Sequence, residues 1–169
     1  MNYIGMITGH KCCGSGYTEI LLEAGLVNSG CMKGVLSGKA YGKALFNLKI
    51  VCEAMERLLI EQFIEDEEIQ IDSNALLALV KKWDRETLDL SLEDEQTSKI
   101  ILSYTSYVEK VRNNHLGKTA MFWVSFIDHC HRLFMLLLSV KRHNIQLFHK
   151  CNGDIADLFF AYGGQNYAR

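Results

Sequence analysis

The fold of this chain is decided by residues 118–142, which read KTAMFWVSFIDHCHRLFMLLLSVKR. Apolar side chains recur there at three- and four-residue steps, which is the spacing of neighbours on one face of an α-helix. One stripe contains Phe122, Phe126, His129, Leu133, Leu136 and Val140, and another side contains Met121, Val124, Phe134 and Leu138. A helix that is apolar on two sides packs between other helices, so the sequence predicts a long helix inside a bundle.

A second stripe of the same period predicts another long helix over residues 40–64. Its members are Leu45, Leu48, Cys52, Met55, Leu59 and Phe63. Shorter helices are predicted at residues 17–24, 31–36, 75–83, 91–112, 145–148 and 154–162. The chain contains no proline, whereas an average chain of this length has roughly eight. We therefore expect an all-α fold, an irregular helical bundle with two long central helices (about 40–64 and 118–142) and shorter flanking helices.

The predicted organisation is a single helical domain over residues 1–169. Within it, residues 1–39 form a glycine-rich segment of short helices, in which Gly25 directly follows a predicted helix and is expected to end it in a left-handed conformation. Residues 65–95 form an acidic connecting segment. Residues 61–95 carry twelve acidic and three basic side chains, a net charge of −9, and the remainder carries +7. The basic remainder is expected to support weak, salt-sensitive nucleic-acid binding at most.

Two features of the sequence bear on its compartment. Residues 1–9 contain no charged start followed by an apolar run, so no signal peptide is predicted and the six cysteines are expected to be reduced and mostly buried. Residues 120–140 are about as long as a membrane is thick, but the charged side chains of Asp128 and Arg132 near the middle are costly in hydrocarbon. We therefore expect an intracellular protein, cytoplasmic or nuclear, with no membrane partner.

Few residues suggest chemistry. His10, Cys12 and Cys13 are weak candidate metal ligands, because their spacing differs from the CxxC and HxxxH pairs typical of zinc sites. Asp128 and Arg132 are four residues apart on the most apolar helix, which favours a buried ion pair. The sequence identifies no catalytic residue, no cofactor-binding residue and no cofactor.

Four stretches of the chain resemble one known family. They are LEAGLV at residues 22–27, VLSGKAY at 35–41, FWVSF at 122–126 and LFFAYGGQNYAR at 158–169, which closes on an Asn-Tyr-Ala-Arg signature. The family comprises large uncharacterised animal proteins that occur in many copies and derive from mobile elements. The resemblance covers most of the chain and implies an internal helical segment, that is, a fragment or insertion of a longer protein.

The favoured interpretation is a helical interaction or structural module of a mobile-element-derived protein, without catalytic activity of its own. Its expected partner is another protein or the remainder of a longer chain. One alternative is an incomplete part of a transposase-like, nucleic-acid-processing enzyme. By analogy with the helical insertion of a ribonuclease-H-like core, its catalytic acids then lie outside this chain. The other alternative is a small zinc-binding domain.

Overall fold

The computed structural model describes residues 3–8, 16–68 and 95–161, and every regular element in these ranges is an α-helix. The prediction of an all-α helical bundle is therefore confirmed. The helices are α1 (Tyr3–Thr8), α2 (Gly16–Glu23), α3 (Ser29–Leu36), α4 (Tyr41–Asp66), α5 (Glu95–Arg112), α6 (Lys118–Lys141) and α7 (Ile145–Ala161). Among them α4, with 26 residues, and α6, with 24, are the longest, as the two apolar stripes predicted.

Some boundaries differ from the predictions. The sequence did not predict α1, and α7 is one continuous helix where two short helices separated by residues 149–153 were expected. A glycine inside a helix costs about 1 kcal/mol relative to alanine, which is too little to interrupt a helix that buries Cys151 and Ile155 on one side. The helix predicted at residues 75–83 and the start of the one predicted at 91–112 lie outside the described residues.

The chain divides into two compact units. Unit 1 comprises Met1–Met55 and Phe122–Arg169, and unit 2 comprises Glu56–Met121. The dividing points fall inside α4 and α6, so each of these helices contributes residues to both units.

Aromatic packing joins the short helices of unit 1 to α6. The ring of Tyr17 on α2 lies 5.7 Å from that of Phe126, which in turn meets Trp123 edge-on at 5.4 Å. On α1, the Tyr3 hydroxyl donates a hydrogen bond to the carbonyl oxygen of His129, at 3.2 Å. Helices α1 and α2 are therefore anchored on α6.

The buried side of α6 is rotated slightly from the predicted stripe. Phe126 and Leu133 are buried as predicted, but Val140 is 56% exposed and the neighbouring Ser139 is buried in its place. Burial of Ser139 is tolerated because its hydroxyl donates a hydrogen bond to the carbonyl oxygen of Leu136, at 2.6 Å. Adjacent helical side chains diverge by about 100°, so Val140 faces away, and its assignment to the core was wrong.

By length and composition, α6 is the one helix among the described residues that is suited to cross a membrane. In its most apolar window, 28% of the residues are buried. The core helices of water-soluble proteins share this length and composition, so the feature alone does not identify a membrane protein.

Unit 2 is held together by contacts between the C-terminal parts of α4 and α5. The ring of Phe63 lies 5.2 Å from Tyr104 and 5.4 Å from Tyr107. The Tyr107 hydroxyl donates a hydrogen bond to the carboxylate of Asp66, at 2.5 Å, and Lys110 forms an ion pair with Glu67 at 3.0 Å. Asp66 and Glu67, near the start of the predicted connecting segment, therefore bind partners on α5.

The Asp66 carboxylate gives a prediction about acid stability. Hydrogen bonds from Tyr107 and then Gln62 hold the pKa of Asp66 below the usual 3.8. A carboxyl whose pKa is lower in the folded than in the unfolded state stabilises the fold at any pH above its pKa in the unfolded state. This stabilisation is lost as the pH falls through its pKa in the folded state. We expect the free energy of unfolding to fall more steeply below about pH 4 in the wild type than in Asp66→Asn. Urea denaturation across this pH range measures the difference.

The matched control for this prediction is Glu61→Gln, which removes an exposed carboxyl from the same helix. It should leave the steepness of the wild-type curve unchanged. Parallel pH curves for the wild type and Asp66→Asn would contradict the assigned role of Asp66.

Candidate binding groove

A groove in unit 1 lies between the turn that joins α2 to α3 and the first half of α4. Its volume is about 390 Å³, within the range of small ligand sites. Its lining residues are Gly25, Leu26, Val27, Asn28, Cys31, Lys43, Phe46 and Asn47. These residues combine apolar side chains with hydrogen-bond donors and include no acidic side chain.

The first wall of the groove is a helix-ending turn at Gly25. Gly25 has a φ of +65°, a left-handed conformation that glycine adopts without the steric cost borne by other residues. The amide of Gly25 donates to the carbonyl of Leu22 at 3.1 Å, and the amide of Leu26 donates to Leu21 at 3.0 Å. This pair of bonds is the Schellman motif. The sequence prediction for Gly25 is thus confirmed.

The turn continues directly into α3 through Asn28. Its side-chain oxygen accepts a hydrogen bond from the amide of Cys31, at 3.0 Å, which caps the N-terminus of α3. The cap fixes the first turn of α3 at the groove, with the half-buried Cys31 side chain among the lining residues. The positive end of the α3 dipole therefore lies on the same side of the groove.

The second wall comes from one face of α4. Phe46 and Asn47 lie three and four residues after Lys43, so each of them is a neighbour of Lys43 on the helix surface. Phe46 is 60% exposed, whereas Asn47 is only 2% exposed. Within the described part of the chain, the Nδ2 donor of Asn47 has no hydrogen-bond partner. A buried donor without an acceptor costs about 1–3 kcal/mol, so Asn47 is a locally unfavourable residue of the buried face of α4.

The groove is equipped for binding more than for catalysis. Lys43 offers a hydrogen-bond donor, and Phe46 and Leu26 offer apolar surface. No histidine, aspartate or glutamate is among the lining residues, so the groove has no conventional general base beside the Cys31 thiol. The arrangement suits a ligand that has both an acceptor group and an apolar part.

The site residues predicted from sequence lie elsewhere. His10, Cys12 and Cys13 fall outside the described residues. Asp128 and Arg132 are both half-buried on α6, not fully buried, and their ion pair stays a prediction. The two charges also affect the pKa of His129, which lies between them. Burial is the main cause that lowers the pKa of His129; the charge of Arg132 lowers it further, and the charge of Asp128 opposes the shift.

Sequence reasoning missed the residues of the second wall. It did not single out Lys43, Phe46 or Asn47. The buried face of α4 nevertheless contains a signal, because its members recur at helical spacing and one of them is polar. They are Ala44, Asn47, Leu48, Val51 and Cys52. An asparagine in such a stripe is costly to bury without a partner.

Another arrangement that the sequence did not reveal lies elsewhere in unit 1. The Cys52 sulfur on α4 and a ring nitrogen of His131 on α6 lie within 4.8 Å of each other. Cys52, Cys130 and Cys151 are buried and Cys31 is half-buried, which agrees with the expected burial of the thiols.

Comparison with models of known protein families gives a match over the whole chain. One family model covers residues 1–169, and its description is Domain of unknown function (DUF8702). No curated protein and no solved structure matches the chain.

Proposed function

Because the chain belongs to the DUF8702 family, whose description assigns no activity, we propose a function from the groove itself. The chain acts as a helical interaction module without catalytic activity of its own, and it binds a segment of a protein partner in the groove. The mobile-element origin and the intracellular location implied by the sequence belong to the same proposal.

The observation that carries the proposal is the exposed ring of Phe46 on α4. Phe46 is 60% exposed, and Leu26 and Val27 line the opposite wall of the groove. Aromatic side chains are enriched among the residues that dominate protein interfaces. A bound segment covers Phe46 together with the apolar side chains of the opposite wall.

A protein ligand fits the groove better than a nucleic acid does. Lys43 is the one basic side chain among the lining residues, whereas nucleic-acid binding depends on several phosphate contacts made by lysine and arginine. The apolar contribution from Leu26, Val27 and Phe46 matches the buried centre of a protein interface.

Peptide selection tests the proposal. Random peptides displayed on phage are selected against the purified full chain, and the selected peptides are titrated into ¹⁵N-labelled protein. We expect chemical-shift changes concentrated at Lys43, Phe46 and Asn47. Phe46→Ser should weaken binding by about tenfold or more, the effect of losing an aromatic anchor.

The matched control is Tyr41→Ser. Tyr41 is also an exposed aromatic residue on α4 in unit 1, but it does not line the groove, so this substitution should leave binding unchanged. Failure to select any peptide that binds at the groove, or equal losses in Phe46→Ser and Tyr41→Ser, would overturn the proposal. Circular dichroism of both variants verifies that the helices are retained.

A further inference from the structure

We infer that α4 and α6 bind a zinc-type metal ion through the side chains of Cys52, Glu56 and His131. This site lies away from the groove and is independent of the proposed function. It also differs from the candidate metal ligands that the sequence suggested near the N-terminus.

Two metal-binding groups of unit 1 come together from different helices. The Cys52 sulfur on α4 lies within 4.8 Å of a ring nitrogen of His131 on α6. Zinc binds a thiolate sulfur at about 2.3 Å and an imidazole nitrogen at about 2.1 Å, which separates these two atoms by about 3.6 Å in a tetrahedral site. Because His131 is exposed, a small rotation of its side chain brings the nitrogen to this distance.

Helix α4 itself supplies the third ligand, one turn after Cys52. Side chains four residues apart on a helix are neighbours, and the HxxxH pairs of zinc sites use the same spacing. A carboxylate oxygen of Glu56 lies within 4.8 Å of the Cys52 sulfur. Three protein ligands leave the fourth position of a tetrahedral ion to water, and the exposure of His131 gives water access to it.

The ligand types select zinc over magnesium and calcium. Magnesium and calcium take oxygen ligands, whereas a thiolate is a soft ligand that suits zinc. Zinc also accepts imidazole nitrogen and carboxylate oxygen. As the ion binds, the Cys52 thiol releases its proton to water and the sulfur–metal bond forms. Binding should therefore weaken as the pH falls.

The three ligands extend from the protein interior to the surface. Cys52 is 1% exposed, Glu56 is half-buried and His131 is exposed. The ion occupies the space between the donor atoms, so it needs no open pocket, and it enters from the side of His131. Burial of Cys52 then protects the sulfur–metal bond from competing water.

Metal titration of the purified full chain tests the site. The protein is reduced, stripped of metal with a chelator and dialysed, and Co²⁺ is added as a spectroscopic substitute for zinc. We expect stoichiometric binding and the ultraviolet charge-transfer band of a cobalt–thiolate bond. Zinc should remove this band by displacing cobalt. It should also raise the unfolding temperature, because an ion that binds only the folded state stabilises it.

Substitutions of the cysteine and the histidine identify the ligands. Cys52→Ser should remove the cobalt–thiolate band. His131→Gln should weaken binding by about tenfold or more, the size of effect known for the loss of even an outer-shell partner. The matched controls are Cys130→Ser, at a buried cysteine of α6, and His149→Gln, at an exposed histidine of α7. Both controls should bind cobalt as the wild type does.

The carboxylate has a matched pair of variants on α4. Glu56→Gln should weaken cobalt binding by about tenfold or more. Glu53→Gln removes an exposed carboxylate next to Cys52, but adjacent side chains on a helix diverge by about 100°, so it should have no effect. Equal affinities of these two variants would overturn the three-ligand site.

The remaining outcomes are also decisive. Absence of the cobalt–thiolate band in the wild type, or binding that is unchanged in both Cys52→Ser and His131→Gln, would overturn the site. Loss of binding in Cys12→Ser alone would assign the ion to the N-terminal candidates and likewise overturn it. Cys52 is buried and its substitution can impair folding, so His131→Gln, at an exposed position, tests the same site in a folded chain.

Discussion

Replacing Leu48 by alanine is expected to lower the free energy of unfolding by about 2–5 kcal/mol. Leu48 is 0% exposed and lies in the middle of the buried face of α4. The substitution removes apolar contacts and leaves a cavity that the surrounding side chains fill only in part. Urea denaturation followed by circular dichroism measures the loss.

The same helix supplies the control for this prediction. Leu58→Ala makes the identical chemical change at a position that is 58% exposed, and its effect should stay within about 0.5 kcal/mol. Similar losses at both positions would show that α4 does not bury the face assigned to it.

Replacing Tyr107 by alanine is expected to cost about 3–5 kcal/mol, as for other buried aromatic residues. Tyr107 is buried in unit 2, with its ring 5.4 Å from that of Phe63 and its hydroxyl bonded to Asp66. Tyr107→Phe keeps the ring and removes only the hydroxyl, so it should cost clearly less. Urea denaturation of both variants separates the contribution of ring packing from that of the hydrogen bond. An equal loss of unfolding free energy in the two variants would contradict the larger contribution assigned to the ring.

The long helices of this chain could be predicted because their cause is local. An apolar residue every third or fourth position determines which side of a helix is buried, and the absence of proline removes the strongest interruption. The predicted start of α4 at residue 40 and the end of α6 at 142 each differ by one residue from Tyr41 and Lys141. Gly25 was predictable for the same reason, since a helix end and its glycine are adjacent in the chain.

Most of the candidate groove could not be predicted, because it depends on which segments meet in space. The motif at residues 22–27 was noted for its resemblance to a family, and nothing in it identifies Lys43 or Phe46 on the opposite wall. Asn47 is the exception, since a polar residue in an apolar stripe is visible in the sequence. The burial of Ser139 in place of Val140 could not be predicted for another reason. The hydrogen bond that allows the serine to be buried forms within the helix itself.

The hydrogen bonds of the turn at Gly25 have a consequence for the thermodynamics of association. The amides of Gly25, Leu26 and Val27 all donate back to carbonyls of α2, and Asn28 caps α3, so this wall is ordered by local bonds before any ligand arrives. Ordering a loop upon binding subtracts from the affinity, and a preorganised wall avoids that loss. When a flexible ligand binds in the groove, most of the conformational entropy that is lost is therefore that of the ligand and not that of this wall.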